Sequence, residues 1–182
     1  MKKLSMDELG RIDAQQFKQE KKFPLVIVLD NIRSMMNVGS VFRTADAFRI
    51  EKILLCGITA CPPNKEIHKT ALGATESVDW QYFESTEYAV KELIQDNYKV
   101  LALEQTTNSH SLHHYQPQSG TKYALVFGNE VKGVRDQVLS LCHGSIEIPQ
   151  FGTKHSFNIS VTAGITIWDF FTKMGQFEPQ EA

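Results

Sequence analysis

Cysteine is scarce: Cys56, Cys61 and Cys142 are the only three in 182 residues. An odd, sparse set excludes a disulfide scaffold and predicts a reduced, cytoplasmic setting. There is no signal-peptide pattern and no long apolar run, so no membrane association is expected. Neither sign of charge dominates, since 19 Lys and Arg face 21 Asp and Glu for a formal net charge of −2. That excludes a strongly basic nucleic-acid clamp, although a local basic patch remains compatible with RNA binding. Nucleotide fingerprints are missing too. No Gly-x-Gly-x-x-Gly occurs, and Gly128 and Gly133 have phosphate-loop spacing but are followed by Val134-Arg135 instead of Lys-Ser or Lys-Thr. A Gly-x-Ser-x-Gly elbow is also lacking. His110, His113 and His114 cluster without the Cys or carboxylate spacing of a metal site, so they read as an exposed polar loop and no metal is expected. In a reduced compartment the Asn158-Ile159-Ser160 sequon is a chance match.

What is present is an ordinary globular composition, 42% hydrophobic and 22% charged, of a length suited to one domain with a real core. Ser5 and Glu8 have capping-box spacing, with Leu4 and Leu9 placed as a staple, and predict an N-terminal helix ending near Lys21-Lys22. Residues 1–22 are thus a helical extension, and 23–182 the main domain. Leu25 to Leu29 is a short apolar run, as in a strand buried on both faces. Further strands are expected at Ile53–Cys56, Val100–Leu103, Tyr123–Phe127 and Ser145–Ile148. Helices are expected at Val38–Phe48, from Ser85 to about Asp96, at Val134–Cys142 and at Asn158–Phe171. Gly57–Trp80 reads as loop with at most a helical turn, and Gln105–Gly120 as loop. Alternating strands and helices define an α/β fold with a mostly parallel sheet flanked by helices.

In such sheets ligands bind beyond the carboxyl ends of the strands. Three polar clusters fall there: Asn37 and Arg43 after Leu29, Gly128 and Glu130 after Phe127, and Ser156 and Asn158 after Ile148. The last lies in Ile148-Pro149-Gln150-Phe151-Gly152-Thr153-Lys154-His155-Ser156-Phe157-Asn158, where a strand end meets Pro and Gly and an apolar helix follows at once. A backbone-lined pocket at a helix N-terminus is the local expectation. Arg33, Lys65, Lys69, Lys132, Arg135 and Lys154 sit in or near the same loops and are candidates for a local positive patch.

Three segments together resemble the SpoU (TrmH-like) branch of the SPOUT RNA methyltransferases over about Leu25 to Phe171. They are Asn37-Val38-Gly39-Ser40-Val41-Phe42-Arg43-Thr44-Ala45-Asp46-Ala47-Phe48, Phe127-Gly128-Asn129-Glu130-Val131-Lys132-Gly133-Val134, and Ile148-Pro149 through Gly152 with Ser156-Phe157-Asn158-Ile159-Ser160. Their order and spacing make the signal specific. Phe157 stands where Leu is common, and Thr162-Ala163-Gly164 replaces an Ala-rich stretch.

The resemblance implies a C-terminal trefoil knot that serves as the pocket for S-adenosylmethionine, a homodimer, and methyl transfer to a ribose 2′-oxygen of tRNA or rRNA. It makes Arg43 the catalytic arginine, supported by Asn37 and Glu130, with Ser156 and Asn158 beside it. Cofactor contacts fall on Leu103, Gly128, Ile148, Ser156 and Phe157, largely through main-chain groups. Because guanidinium stays protonated, Arg43 is expected to bind an RNA phosphate and stabilise the developing alkoxide rather than act as a base. Two rivals keep the same fold: a base-nitrogen RNA methyltransferase and a non-catalytic RNA-binding module. Each residue also has a blander role open to it: an Arg43–Asp46 surface pair, helix caps for Asn37, Ser156 and Asn158, and a first-turn acid for Glu130.

Overall fold

The computed structural model describes residues 1–5 and 7–175. Seven parallel strands form one sheet: β1 (Phe23–Asp30), β2 (Ile50–Cys56), β3 (Trp80–Phe83), β4 (Tyr98–Leu103), β5 (His110–Ser111), β6 (Lys122–Phe127) and β7 (Ser145–Glu147), in the order β3-β2-β1-β6-β4-β7-β5. The α/β expectation is met. The central strands are apolar along their middles because both faces are covered. On β1, Leu25, Ile27 and Leu29 enter one core with α2 (Met35–Ala47) and α7 (Ile159–Met174). Val26 and Val28 enter the other, with Val90 and Leu93 of α5 (Thr86–Gln95). Each such side chain contributes about 1.5–3 kcal/mol on burial, so the continuous run is the strongest folding instruction in the chain.

Four expectations need correction. The capping box forms, with the Ser5 amide on Glu8 Oε2 (2.6 Å) and the Glu8 amide on Ser5 Oγ (3.3 Å), but it caps only a 3-10 turn, Asp7–Leu9. A separate capping box at Asp13 starts α1 (Ala14–Gln19), whose buried Phe17 anchors the extension. Leu4 and Leu9 are exposed, so no staple covers the longer helix that was expected. Gly57–Trp80 holds two helices, α3 (Lys65–Ala71) capped by Asn64 and α4 (Ala74–Ser77), and it leads into the unexpected β3. Finally, Val134–Cys142 is helical only over α6 (Asp136–Leu139): Arg135 is extended and serves as its N-cap position.

The register decides where ligand chemistry can occur. Leu29, Phe127, Leu103 and Ile146 form one row across β1, β6, β4 and β7 at the carboxyl edge. β1 and β6 are neighbours, yet the chain leaves β1 toward β2 and leaves β6 toward β7, in opposite directions along the sheet. Such a switch point opens a crevice between the departing loops. No described helix is long and apolar enough to cross a membrane.

Candidate active site

A cleft of about 770 Å³ opens at that edge, lined by residues from the ends of β4, β6 and β7, by loop 128–134, and by the start of α7. Leu103, Gly128, Glu130, Ile148, Ser156, Phe157 and Asn158 all line it. The second and third motifs therefore meet in the cleft, while no residue of the first motif lines it.

Hydrogen bonds tie the loops together. Asn158 is the N-cap of α7, its Oδ1 accepting from the Ser160 amide (2.9 Å), while its Nδ2 donates to Asn37 Oδ1 (3.1 Å). Asn37 is not itself the cap of α2: Ser34 is, accepting from the Asn37 amide at 3.2 Å. Glu130 lies in the loop six residues ahead of α6, so it does not act on that helix. Its carboxylate instead accepts the amides of Arg33 and Ser34, both at 3.0 Å, at the mouth of α2. Partial burial pushes its pKa up, but those two amides, its own amide and the Asn37 side chain outweigh this, so the acid sits below its ordinary 4.5. Asn129 adds a third tie, its Nδ2 donating to the Asn31 carbonyl at 2.7 Å. Gly128 has a packing reason to be glycine: a Cβ there would lie 2.2 Å from the Gly133 carbonyl carbon and the Val134 nitrogen. Ser156 and Phe157 are exposed on the cleft wall, and Ser156 caps nothing.

Arg43 is the exception. It is exposed on α2 and does not line the cleft of its own chain. It sits six residues beyond Asn37, roughly 9 Å along the helix axis. The alternative pairing with Asp46 is not formed either; Asp46 accepts the Ser77 hydroxyl at 2.5 Å. The expected basic patch is divided. Lys132 lines the cleft, and Arg33 and Lys154 are exposed in loops of the same edge. Lys65 and Lys69 instead line a second groove of about 720 Å³ with Pro62, Pro63 and Trp80, and Lys69 pairs with Glu66 at 2.7 Å. Arg135 is committed to Asp30 (3.4 Å) and Glu87 (3.2 Å).

Sequence reasoning missed Asp30 and Glu104. Asp30 is fully buried at the end of β1 and holds Asn31 Nδ2 (2.7 Å) and Thr86 Oγ1 (2.5 Å) as well as Arg135. Its signal was available: a lone acid closing a five-residue apolar run must find partners or stay solvated. Glu104 had no comparable signal, since its partner amide lies 30 residues away. The thiols are free, Cys56 buried and Cys61 and Cys142 partly so. Burial pushes Cys56 up to about 12 and Cys142 up to about 11, which leaves them protonated and inert at neutral pH. His113 and His114 are exposed in a loop, but His110 is exposed on β5, so Gln105–Gly120 is not the continuous loop expected.

A parallel sheet covered by helices on both faces, with a polar-ended cleft at its switch point, defines a doubly covered α/β protein. The SpoU rRNA Methylase family matches over residues 24–168, and the chain belongs to that family. The 23S rRNA (guanosine-2′-O-)-methyltransferase RlmB of Neisseria meningitidis serogroup B is 31% identical over 144 residues, 79% of this chain and 56% of that protein. Among solved structures, the A. aeolicus TrmH/SpoU tRNA modifying enzyme superposes with a TM-score of 0.77 at 20% identity, covering 88% of this chain and 81% of that one. The AdoMet-bound rRNA methyltransferase from Sinorhizobium meliloti gives 0.76 at 23% identity, covering 85% and 59%. At these identities the structures speak for the fold. The chain spans 56–65% of the length of the first curated relatives it matches.

Proposed function

We propose that this chain is an S-adenosylmethionine-dependent RNA methyltransferase acting on a ribose 2′-oxygen, and that it works as a cytoplasmic homodimer. The observation that carries the reading is the meeting of the second and third family motifs around one cleft, with the first motif tied to it by Asn37, bonded to Asn158 across 121 positions of sequence. The relatives named above act on guanosine 2′-oxygens of 23S rRNA or modify tRNA, and one was solved with AdoMet.

The cleft suits the cofactor. Its volume lies within the range of small-molecule sites, and its walls combine apolar Leu103, Phe127, Ile146 and Ile148 with polar loop backbone. Adenine offers both donor and acceptor edges, which main-chain groups around Gly128, Ile148 and Phe157 can meet. When bound, the cofactor supplies an electrophilic methyl on a cationic sulfur. In-line displacement gains most from alignment, so the work of Asn37, Glu130 and Asn158 is to hold the loops of motifs one, two and three in fixed relation. Ser156, exposed on the wall, is placed to meet the ribose or the cofactor.

Arg43 completes the site in a dimer. Its exposure outside its own cleft leaves the guanidinium free to reach RNA phosphate beside a partner's cleft, where a planar two-pronged donor suits phosphate and a developing alkoxide. The dimer face is the apolar stripe Val161, Ile165 and Trp168 of α7 (48%, 38% and 56% exposed) with Met35 and Met36 of α2. Contiguous apolar surface of this kind marks association. Lys132, Arg33 and Lys154 supply the salt-sensitive contacts to RNA.

The test is a map of 2′-O-methyl sites in total RNA from cells with the gene, without it, and with Arg43→Ala. One or more sites vanish in the last two. A lost base methylation with intact ribose sites would favour base-nitrogen chemistry, and an unchanged map would favour a non-catalytic module.

A further inference from the structure

The β4–β6 ladder ends at the pair Leu103 and Phe127, so nothing in the sheet holds the loops beyond it together. Yet those loops form facing walls of the cleft. Loop 128–134 is rigid in itself. Asn129 and Gly133 exchange main-chain hydrogen bonds at 3.0 and 2.8 Å, and Asn129 Oδ1 accepts the amides of Val131 (3.0 Å) and Lys132 (3.1 Å). On its β1 side the loop is tied by Asn129 and Glu130, as described. On its β4 side the tie is Glu104. The Glu104 amide is fixed to the Ile146 carbonyl at 3.0 Å. Its Oε1 accepts the Gln105 amide (3.0 Å), and its Oε2 reaches across to accept the Val134 amide at 2.9 Å.

Gly133 records how closely the loop sits on this carboxylate. Its φ is +66°, and a Cβ there would stand 2.1 Å from Glu104 Oε2. Glu104, Gly133 and Val134 all line the cleft alongside Leu103 and Gly128. We propose that Glu104 is a positioning residue that sets the width of the cofactor cleft by clamping loop 128–134 to the end of β4. This rests on the reading of the cleft as the S-adenosylmethionine site. The clamp acts on cofactor affinity. Of the basic residues assigned to RNA, Lys132 alone lies on the clamped loop and Arg33 and Lys154 lie on others, so RNA docking depends less on the clamp; the methyl-transfer step depends on groups Glu104 does not touch.

The experiment uses the full chain and two readouts: calorimetric titration with S-adenosylhomocysteine, and steady-state kinetics with the RNA found by mapping. Glu104→Ala is expected to weaken S-adenosylhomocysteine binding and raise the KM for S-adenosylmethionine about tenfold, the scale of one lost charge-assisted hydrogen bond. The KM for RNA and kcat stay within about twofold on the same reasoning. Glu104→Gln, which keeps one carbonyl acceptor, loses less. Gly133→Ala is harmful alone and less so in the Glu104→Ala background, because the overlap with Oε2 is gone; that non-additivity is the signature of direct contact. Unaltered S-adenosylhomocysteine affinity in Glu104→Ala, or strictly additive losses in the double variant, overturns the clamp. If Glu104→Ala does not fold, Glu104→Gln decides by the same titration. Failure of the parent chain to bind S-adenosylhomocysteine overturns the cofactor reading and the clamp with it; binding by the parent with unaltered Glu104 variants overturns the clamp alone.

Discussion

Replacing Asp30 with alanine removes a carboxylate whose side chain is 1% exposed, together with its bonds to Thr86 (2.5 Å) and Asn31 (2.7 Å) and its contact with Arg135 (3.4 Å). Hydrogen bonds to a charged acceptor contribute about 1.5–3 kcal/mol each, so the two short ones total about 3–6 kcal/mol. Several effects reduce that sum. The charge pays a desolvation penalty that its removal refunds. Asp30 Oδ2 and Arg135 Nε are buried without hydrogen-bond partners, so the ion pair is single-pronged. Arg135 is 39% exposed and keeps Glu87 at 3.2 Å, so it is not stranded. A net loss of about 2–4 kcal/mol follows, which for a chain of this length lowers Tm by roughly 5–15 °C. Thermal unfolding followed by circular dichroism at neutral pH measures it, with Asp30→Asn losing about half as much because the amide oxygen still serves Thr86 or Asn31. A Tm for Asp30→Ala within about 2 °C of the parent, less than 1 kcal/mol, refutes the account of this network.

Glu130 predicts an acid-side dependence. Its carboxyl lies below the ordinary 4.5 when folded, so it binds its proton less readily than in the unfolded chain. The stability it contributes is complete above 4.5 and is lost as pH falls through its lower folded value. Glu130→Gln is expected to flatten the stability–pH curve in that window, and a curve parallel to the parent's would count against the Arg33 and Ser34 contacts. The proposed dimer face gives a separate expectation. Ile165→Glu on the exposed α7 stripe converts the dimer to a monomer in light scattering coupled to size exclusion, with the far-ultraviolet dichroism retained; a dimer that persists rejects this face.

Much of the architecture was legible because it depends on local pattern. An unbroken run such as Leu25–Leu29 can be satisfied only by burial on both faces, which requires parallel strands with helices above and below. Ser85, Asn158 and the Ser5–Glu8 pair announce helix starts through chemistry that acts within three residues. The same locality explains the misses. The Ser5 box was sound, but whether a helix continues past Leu9 depends on an apolar face finding cover, and Leu9 found none. The helices α3 and α4 are short and draw their stability chiefly from packing on α2, which no window of the sequence displays.

The site divides along the same line. Sequence alone determined the residue types at each strand end and, through the motifs, that Leu103, Gly128, Glu130, Ile148, Ser156, Phe157 and Asn158 belong to one pocket. Only the tertiary structure decided what each does there. Glu130 serves the amides at the mouth of α2 and not its own following helix; Arg135 leaves the RNA-facing set because Asp30 and Glu87 claim it; Arg43 stands outside its own chain's cleft; and Glu104 gains a partner in Val134. Apart from the placing of Arg43, those outcomes are hydrogen bonds between residues 30 to 105 positions apart, formed only because strand order brings their loops together. Pairings at that range depend on topology, and topology is a property of the packed sheet as a whole.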